Sequence, residues 1–131
     1  MKKTALTLSA VILLGGLPLL GAAKGGPAPQ TLPQGVTAAM ITAGHGVFDG
    51  AGGCYTCHGK GGVGTGLAPN LTDDKWLHSD GSYPAIVNQI KIGVPKPKEA
   101  MIPMLPKGGS QINDAQIGEV AAYVWSLSHK K

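Results

Sequence analysis

Cys54-Tyr55-Thr56-Cys57-His58 is the stretch on which the reading of this chain turns. Its spacing, C-x-x-C-H, puts two thiols three residues apart and a histidine directly after the second. Thiols so spaced suit addition to the two vinyl groups along one edge of a porphyrin. The histidine is then held against the ring, where an imidazole nitrogen can bind its iron. C-x-x-C-H is accordingly the attachment signature of c-type haem, and it makes Cys54 and Cys57 the candidate covalent anchors and His58 the candidate axial ligand.

Other chemistries fit these residues less well. A structural zinc site needs about four ligands, and the sequence holds neither a second C-x-x-C nor an H-x-x-x-H pair. A redox dithiol of the thioredoxin kind belongs in a βαβ context, which the pattern lacks. A disulfide between Cys54 and Cys57 would close too short a loop to remove much chain entropy. These are the only two cysteines in 131 residues. The chain is 43% hydrophobic but 5% aromatic, with 21 glycines and 10 prolines, so few large side chains are present to fill a core. One small domain with an apolar cofactor as its staple is expected.

The N-terminus reads as an export signal over residues 1–23. Lys2 and Lys3 supply its positive end, Ala5 to Leu20 its apolar stretch, and Gly21-Ala22-Ala23 the small residues of a cleavage site after Ala23. The alternative is an uncleaved membrane anchor, for which the apolar stretch is slightly short and is interrupted by Pro18. It contains no cysteine for acylation. Residues 24–36, Pro/Gly-rich, read as a mobile linker, and 37–131 as the functional domain. The formal charge of +4 falls to +2 without Lys2 and Lys3, and all basic residues are lysine. No like-charge run or aromatic–basic interleaving marks a nucleic-acid surface.

Hydrophobic periodicity predicts an all-α domain with long loops. A first helix is expected over Val36 to Phe48, with Ala39, Met40, Ala43, Val47 and Phe48 as its apolar side. Gly59 to Gly66, with five glycines, reads as open and flexible. A helical turn is expected near Asp73 to Leu77, and a further helix from a Ser82 cap to about Ile92, with Tyr83, Ile86, Val87 and Ile90 on one face. The last helix is the clearest. Asn113 and Gln116 make a capping box, and Ile117, Val120, Ala121, Val124 and Leu127 follow at three- and four-residue steps.

Candidates for the second axial position are Met101, Met104, His45, His78 and His129. Met104 sits in an irregular stretch before the last helix, and a thioether there would stabilise ferrous iron. Met101 competes with it from three residues upstream. Met40 reads as core filler, His45 as solvent-exposed, and His129 as part of a frayed tail.

Over Thr37 to Ser128 the sequence resembles the monohaem class I c-type cytochromes. Gly44 and Phe48 resemble the glycine and aromatic with which that family's first helix crosses its last, and Tyr123 looks like the facing aromatic. Ala68-Pro69-Asn70-Leu71 is similar to the loop whose proline carbonyl accepts the far N–H of the haem histidine, which would make Pro69 the partner of His58. Asn70-Leu71-Thr72-Asp73-Asp74 with Trp76 is similar to the haem-c subunit of cbb-type oxidases. Met104 to Gly109 resembles the M-x-P-x-G-G ligand loop of small bacterial cytochromes c, favouring Met104, although the doubled Met101-Ile102-Pro103-Met104 departs from it. Trp76 and His78 are further candidates for contact with the haem carboxylates.

The resemblance implies three to four helices wrapped around one covalent haem c and its iron, with no catalytic residue. The expected function is that of a monomeric periplasmic carrier of single electrons, meeting respiratory redox partners transiently through a haem edge near Cys54. Two alternatives stand beside it. One is a haem-c module docked permanently to an oxidase or dehydrogenase; the other is a five-coordinate haem enzyme or gas sensor, if neither methionine binds. Contact with a membrane is expected only if the N-terminal segment stays uncleaved.

Overall fold

The computed structural model describes residues 31–130. The expected signal segment and residues 24–30 of the expected linker lie outside the described residues. Within them the order is α1 (Ala38–Asp49), α2 (Tyr55–His58), a 3-10 turn (Lys60–Gly62), α3 (Tyr83–Ile92), a second 3-10 turn (Pro106–Gly109) and α4 (Asp114–Ser128). Among the described residues the extended pairing is a single antiparallel bridge between Val94 and Met104. The fold is all-α, as expected.

Two of the three long helices, α1 and α4, begin at a side-chain cap bond. Thr37 Oγ1 accepts from Met40 N at 3.2 Å to start α1. The Asn113–Gln116 capping box forms in full, with both reciprocal bonds at 3.0 Å. Ser82 holds the N-cap position of α3, but its side chain makes no cap bond. Its own N–H donates to Asp80 Oδ1 at 2.9 Å, so the preceding turn and Pro84 set that helix start instead. Glycine residues end α1, α2 and α3.

The core lies where α1 crosses α4 and α3 packs beside them. Phe48, Ile112, Ile117 and Val120 are fully buried, and all five predicted apolar positions of α4 are buried together with Ala122, Tyr123 and Trp125. Phe48 meets Tyr123 edge-on at 5.3 Å between ring centres, an arrangement worth about 0.5–1.5 kcal/mol beyond its burial. Tyr83 Oη donates to Gly118 O at 3.3 Å, fastening α3 to α4. On α1 the buried face is Gly44, Val47 and Phe48, with Ile41 partly buried; Ala39 and Ala43, expected inside, are exposed. The crossing point decides this, because the helix turns its glycine rather than its alanines toward α4. Leu32 and Val36, read from composition as linker, pack on the core.

Two other expectations are corrected. No helix forms over Asp73 to Leu77. Asn70 Oδ1 accepts from Thr72 N at 2.8 Å and Asp73 Oδ1 from Lys75 N at 3.0 Å, so side-chain acceptors close successive turns that compete with a helix. His129 is not a frayed tail residue. It stacks on Trp125 at 4.2 Å and its Nδ1 lies 2.8 Å from Trp125 O, which completes the end of α4.

Gly44 marks the closest approach in this packing. A Cβ there would overlap the backbone carbonyl of Glu119 and lie 2.9 Å from Tyr123 Cβ, whereas one on Gly46, in the same helix, meets nothing within 4 Å. Gly44→Ala is expected to destabilise the haem-loaded protein by about 1–3 kcal/mol through overpacking. Gly46→Ala should stabilise it by about 0.5–1 kcal/mol through helix propensity alone. Guanidinium unfolding of both variants checks this; equal midpoints would contradict so tight a crossing.

Candidate functional site

The C-x-x-C-H residues form one helical turn between two glycine breaks. Cys54 stands at its head in a helical conformation, φ −62° and ψ −35°. His58 N donates back to Cys54 O at 3.0 Å, and Gly59 stops the turn. Both cysteines are part-buried and are not joined to each other. Burial, assisted by the neighbouring Cys57 and Asp49, pushes the Cys54 thiol above its ordinary range, against an opposing backbone hydrogen bond.

His58 Nδ1 lies 3.0 Å from Pro69 O. A carbonyl can only accept, so Nδ1 carries the ring proton and Nε2 is left with its lone pair. Burial pushes the imidazole below its ordinary pKa, while the bond to Pro69 opposes that shift. The ring is thereby held neutral with one nitrogen available to an electrophile such as a metal ion.

The segment joining His58 to Pro69 is packed, not open as its composition suggested. His58 O accepts from Gly64 N at 2.7 Å, Gly62 O from Leu71 N at 2.7 Å and Ala68 O from Thr65 N at 2.9 Å. Thr65 Oγ1 donates to Cys57 O. With almost no side chains to intervene, backbone packs directly on backbone, and the loop is built around the histidine.

Met104 borders the same region. Its N–H donates to Val94 O at 3.1 Å, and its carbonyl accepts from Val94 N at 2.8 Å. This bridge pinches off the loop 95–103. Two contacts tie that loop to the 70s segment: Lys75 Nζ sits 2.8 and 2.9 Å from the Glu99 oxygens, and Lys98 N donates to His78 Nε2 at 3.2 Å. The ion pair is exposed and solvent-screened, so its effect is to position rather than to stabilise.

An apolar cavity of about 270 Å³ lies between these elements, bordered by Cys54, Cys57, His58, Pro69, Trp76, His78 and Met104. Phe48, Leu71, Ile86, Ile90, Val120 and Val124 are among its apolar walls. Two thiols, an imidazole and a thioether around one apolar space fit a flat apolar ring with iron at its centre, because sulfur and imidazole are both iron donors. Met101 does not border the cavity; it is 77% exposed. Trp76 is half-buried with its indole against Gly81. His45 faces away, stacked on Tyr123 at 4.8 Å with Nε2 3.2 Å from Asp49 Oδ2. Gly44, Phe48 and Tyr123 meet at the helix crossing, and Phe48 also reaches the cavity wall. Val94 is a participant that sequence reading missed. Its only signal is an apolar residue just after the helix-stopping Gly93, and its partner lies ten positions on.

Residues 41–128 match the family profile described as Cytochrome c. The chain belongs to the cytochrome c family. Curated relatives of this cytochrome c include the cbb3-type cytochrome c oxidase subunit FixP of Bradyrhizobium sp. (strain ORS 278), 40% identical over 79 residues, a match covering 57% of this chain and 27% of the relative. Another is the cbb3-type oxidase subunit FixPc of Rhizobium leguminosarum bv. viciae, 36% identical over 78 residues and covering 58% and 27%. The match thus spans about a quarter of these relatives' length. Among solved structures, cytochrome CL of Methylophaga aminisulfidivorans superposes with a TM-score of 0.55 at 23% identity, covering 71% of this chain and 56% of that one. A chain of the Kuenenia stuttgartiensis reducing HAO-like protein complex gives 0.54 at 19% identity, covering 75% and 48%. The fold is that of a class I cytochrome c, and the cofactor of this cytochrome c is covalent haem c with its iron.

Gly64 underlies the geometry at His58. It has φ +84°, and a Cβ there would lie 2.7 Å from Asn70 N and 3.1 Å from Pro69 C; Gly61, at φ +67°, has nothing within 4 Å. Gly61→Ala should cost only the left-handed conformation, about 1–2 kcal/mol. Gly64→Ala should cost a further ~1–3 kcal/mol because it displaces the Pro69 backbone. Unfolding midpoints of the two haem-loaded variants measure the difference, and indistinguishable values would count against this packing.

Proposed function

We propose that this cytochrome c is a single-electron carrier in which Cys54 and Cys57 attach the haem as thioethers and His58 and Met104 bind its iron. One observation carries the reading: a part-buried His58 fixed by Pro69 and a bridge-held Met104 border the same apolar cavity, and Met101 does not. When bound, the haem supplies an iron that cycles between ferrous and ferric states. The protein's part is to keep both ligands fixed. Pro69 orients His58 and raises its basicity, Val94 holds the Met104 backbone, and the apolar walls exclude water. His58 and Met104 would together hold the iron and leave no position on it for substrate, which favours a carrier over an enzyme or gas sensor. Trp76, at the cavity wall, is proposed to meet a haem carboxylate.

Leu67, Ile102 and Leu105 border the cavity and are 38%, 42% and 61% exposed. Such an apolar rim supports weak, brief docking of redox partners at the haem edge. Residues 1–23 are proposed as an export signal and 37–131 as the cytochrome domain, joined by residues 24–36, of which Leu32 and Val36 pack on that domain, placing the carrier in the periplasm. No helix among the described residues is long and apolar enough to cross a membrane.

A second reading, a haem module docked permanently in a larger oxidase, is favoured by the likeness to the FixP subunits. Expressed in its native host, the carrier should elute as a soluble monomer after gentle lysis. Retention with membrane complexes through washing in high salt would decide for the docked module.

Met104→Ala should abolish the weak ferric absorption near the red end of the visible that arises from sulfur-to-iron charge transfer, and lower the reduction potential. Met101→Ala should preserve both. The reverse pattern in the optical spectra would transfer the ligand role to Met101.

A further inference from the structure

Gln89 lies on the last full turn of α3, beside the buried Ile90. Its side-chain oxygen is buried and has no hydrogen-bond partner, alone in this among the described residues. An unpartnered amide oxygen in apolar surroundings is costly, and native proteins rarely leave one. Gln89 borders the haem cavity. It also borders a second cleft, where Ser79, Asp80, Asn88 and Lys96 are part of the lining. With His78 and Val94 it forms the wall that the two spaces share. This is where the apolar cavity gives way to polar surroundings.

We infer that Gln89 holds a carboxylate of the haem by a hydrogen bond from its side-chain amide. The inference rests on the haem placement proposed above. A haem has two carboxylates as its only hydrogen-bonding substituents, and they lie on the edge opposite the vinyl groups engaged by Cys54 and Cys57. The carboxylate edge therefore belongs at a wall that leads to polar surroundings, and Gln89 supplies the unpartnered amide there. The oxygen is enclosed by protein, whereas the NH2 makes no hydrogen bond to the protein and is the accessible end, which donates to an ionised carboxylate. His78 is less free to do this, since its Nε2 already accepts from Lys98 N. Gln89 is thus a positioning residue that favours the ionised carboxylate and, through that charge, sets how the iron's potential depends on pH.

Two measurements test this on the haem-loaded protein. In the diamagnetic ferrous state, the side-chain amide protons of Gln89 should show nuclear Overhauser contacts to the methylene protons of one haem carboxylate arm. Absence of any such contact overturns the inference, and this test needs no variant. In Gln89→Leu the ionised carboxylate loses its donor, so the pH range in which the midpoint potential falls should move upward by about one pH unit. His58, His78 and Glu99 around the cavity, and Asp80 and Lys96 along the cleft, are unchanged in that variant, so the comparison with the parent isolates Gln89. A potential–pH curve that superposes on that of the parent overturns the inference. Failure of the underlying haem placement looks different: the parent protein itself would be colourless, or would lose its pigment to acid acetone.

Discussion

The proton on His58 Nδ1, given to Pro69 O across 3.0 Å, is the contact on which the rest of the site depends. It selects one imidazole tautomer and keeps a lone pair on the other nitrogen. It also joins the helical turn of the two cysteines to a loop eleven residues later in the chain. Without it, the part-buried imidazole would be free to rotate and would lose the contact that raises its basicity. The loop between them serves that bond. Its backbone groups satisfy each other at Gly62, Gly64, Thr65 and Ala68, so the carbonyl arrives at the ring on a rigid support.

The helices supply a frame stiff enough for this loop to matter. α1 crosses α4 at Gly44, and the Phe48–Tyr123 pair locks the crossing. Phe48, Val120 and Val124 belong to this core and also line the cavity. Core and site are therefore one surface. A chain with so few aromatic residues gains from this arrangement, because the cofactor itself completes the apolar interior.

Met104 is positioned by a different means. No helix carries it. A two-residue bridge to Val94 and the contacts of Lys75 and His78 with the loop 95–103 hold it. That economy of structure explains why a second methionine, Met101, can sit three residues away and remain 77% exposed. The backbone pairing directs one thioether toward the cavity wall and leaves the other in solvent.

Much of the fold was legible because local chemistry agrees with tertiary need. The Asn113 capping box, the periodic apolar face of α4 and the C-x-x-C-H spacing each specify their structure within a few residues. Failures came where distant partners decide. Ala39 and Ala43 are as apolar as a core face requires, yet the close crossing turns Gly44 inward. The glycines after His58 read as freedom, but they permit backbone to pack against Asn70 and Leu127. Asp73 to Leu77 looked helical until side-chain acceptors closed its turns. By itself the sequence determined the cofactor, the all-α class and the residues able to touch iron, because bonding chemistry and helical period are local. Only the tertiary structure decided which methionine borders the cavity, which carbonyl meets His58 and which amide is left unpartnered. Those outcomes depend on where segments remote in the chain come to rest against one another.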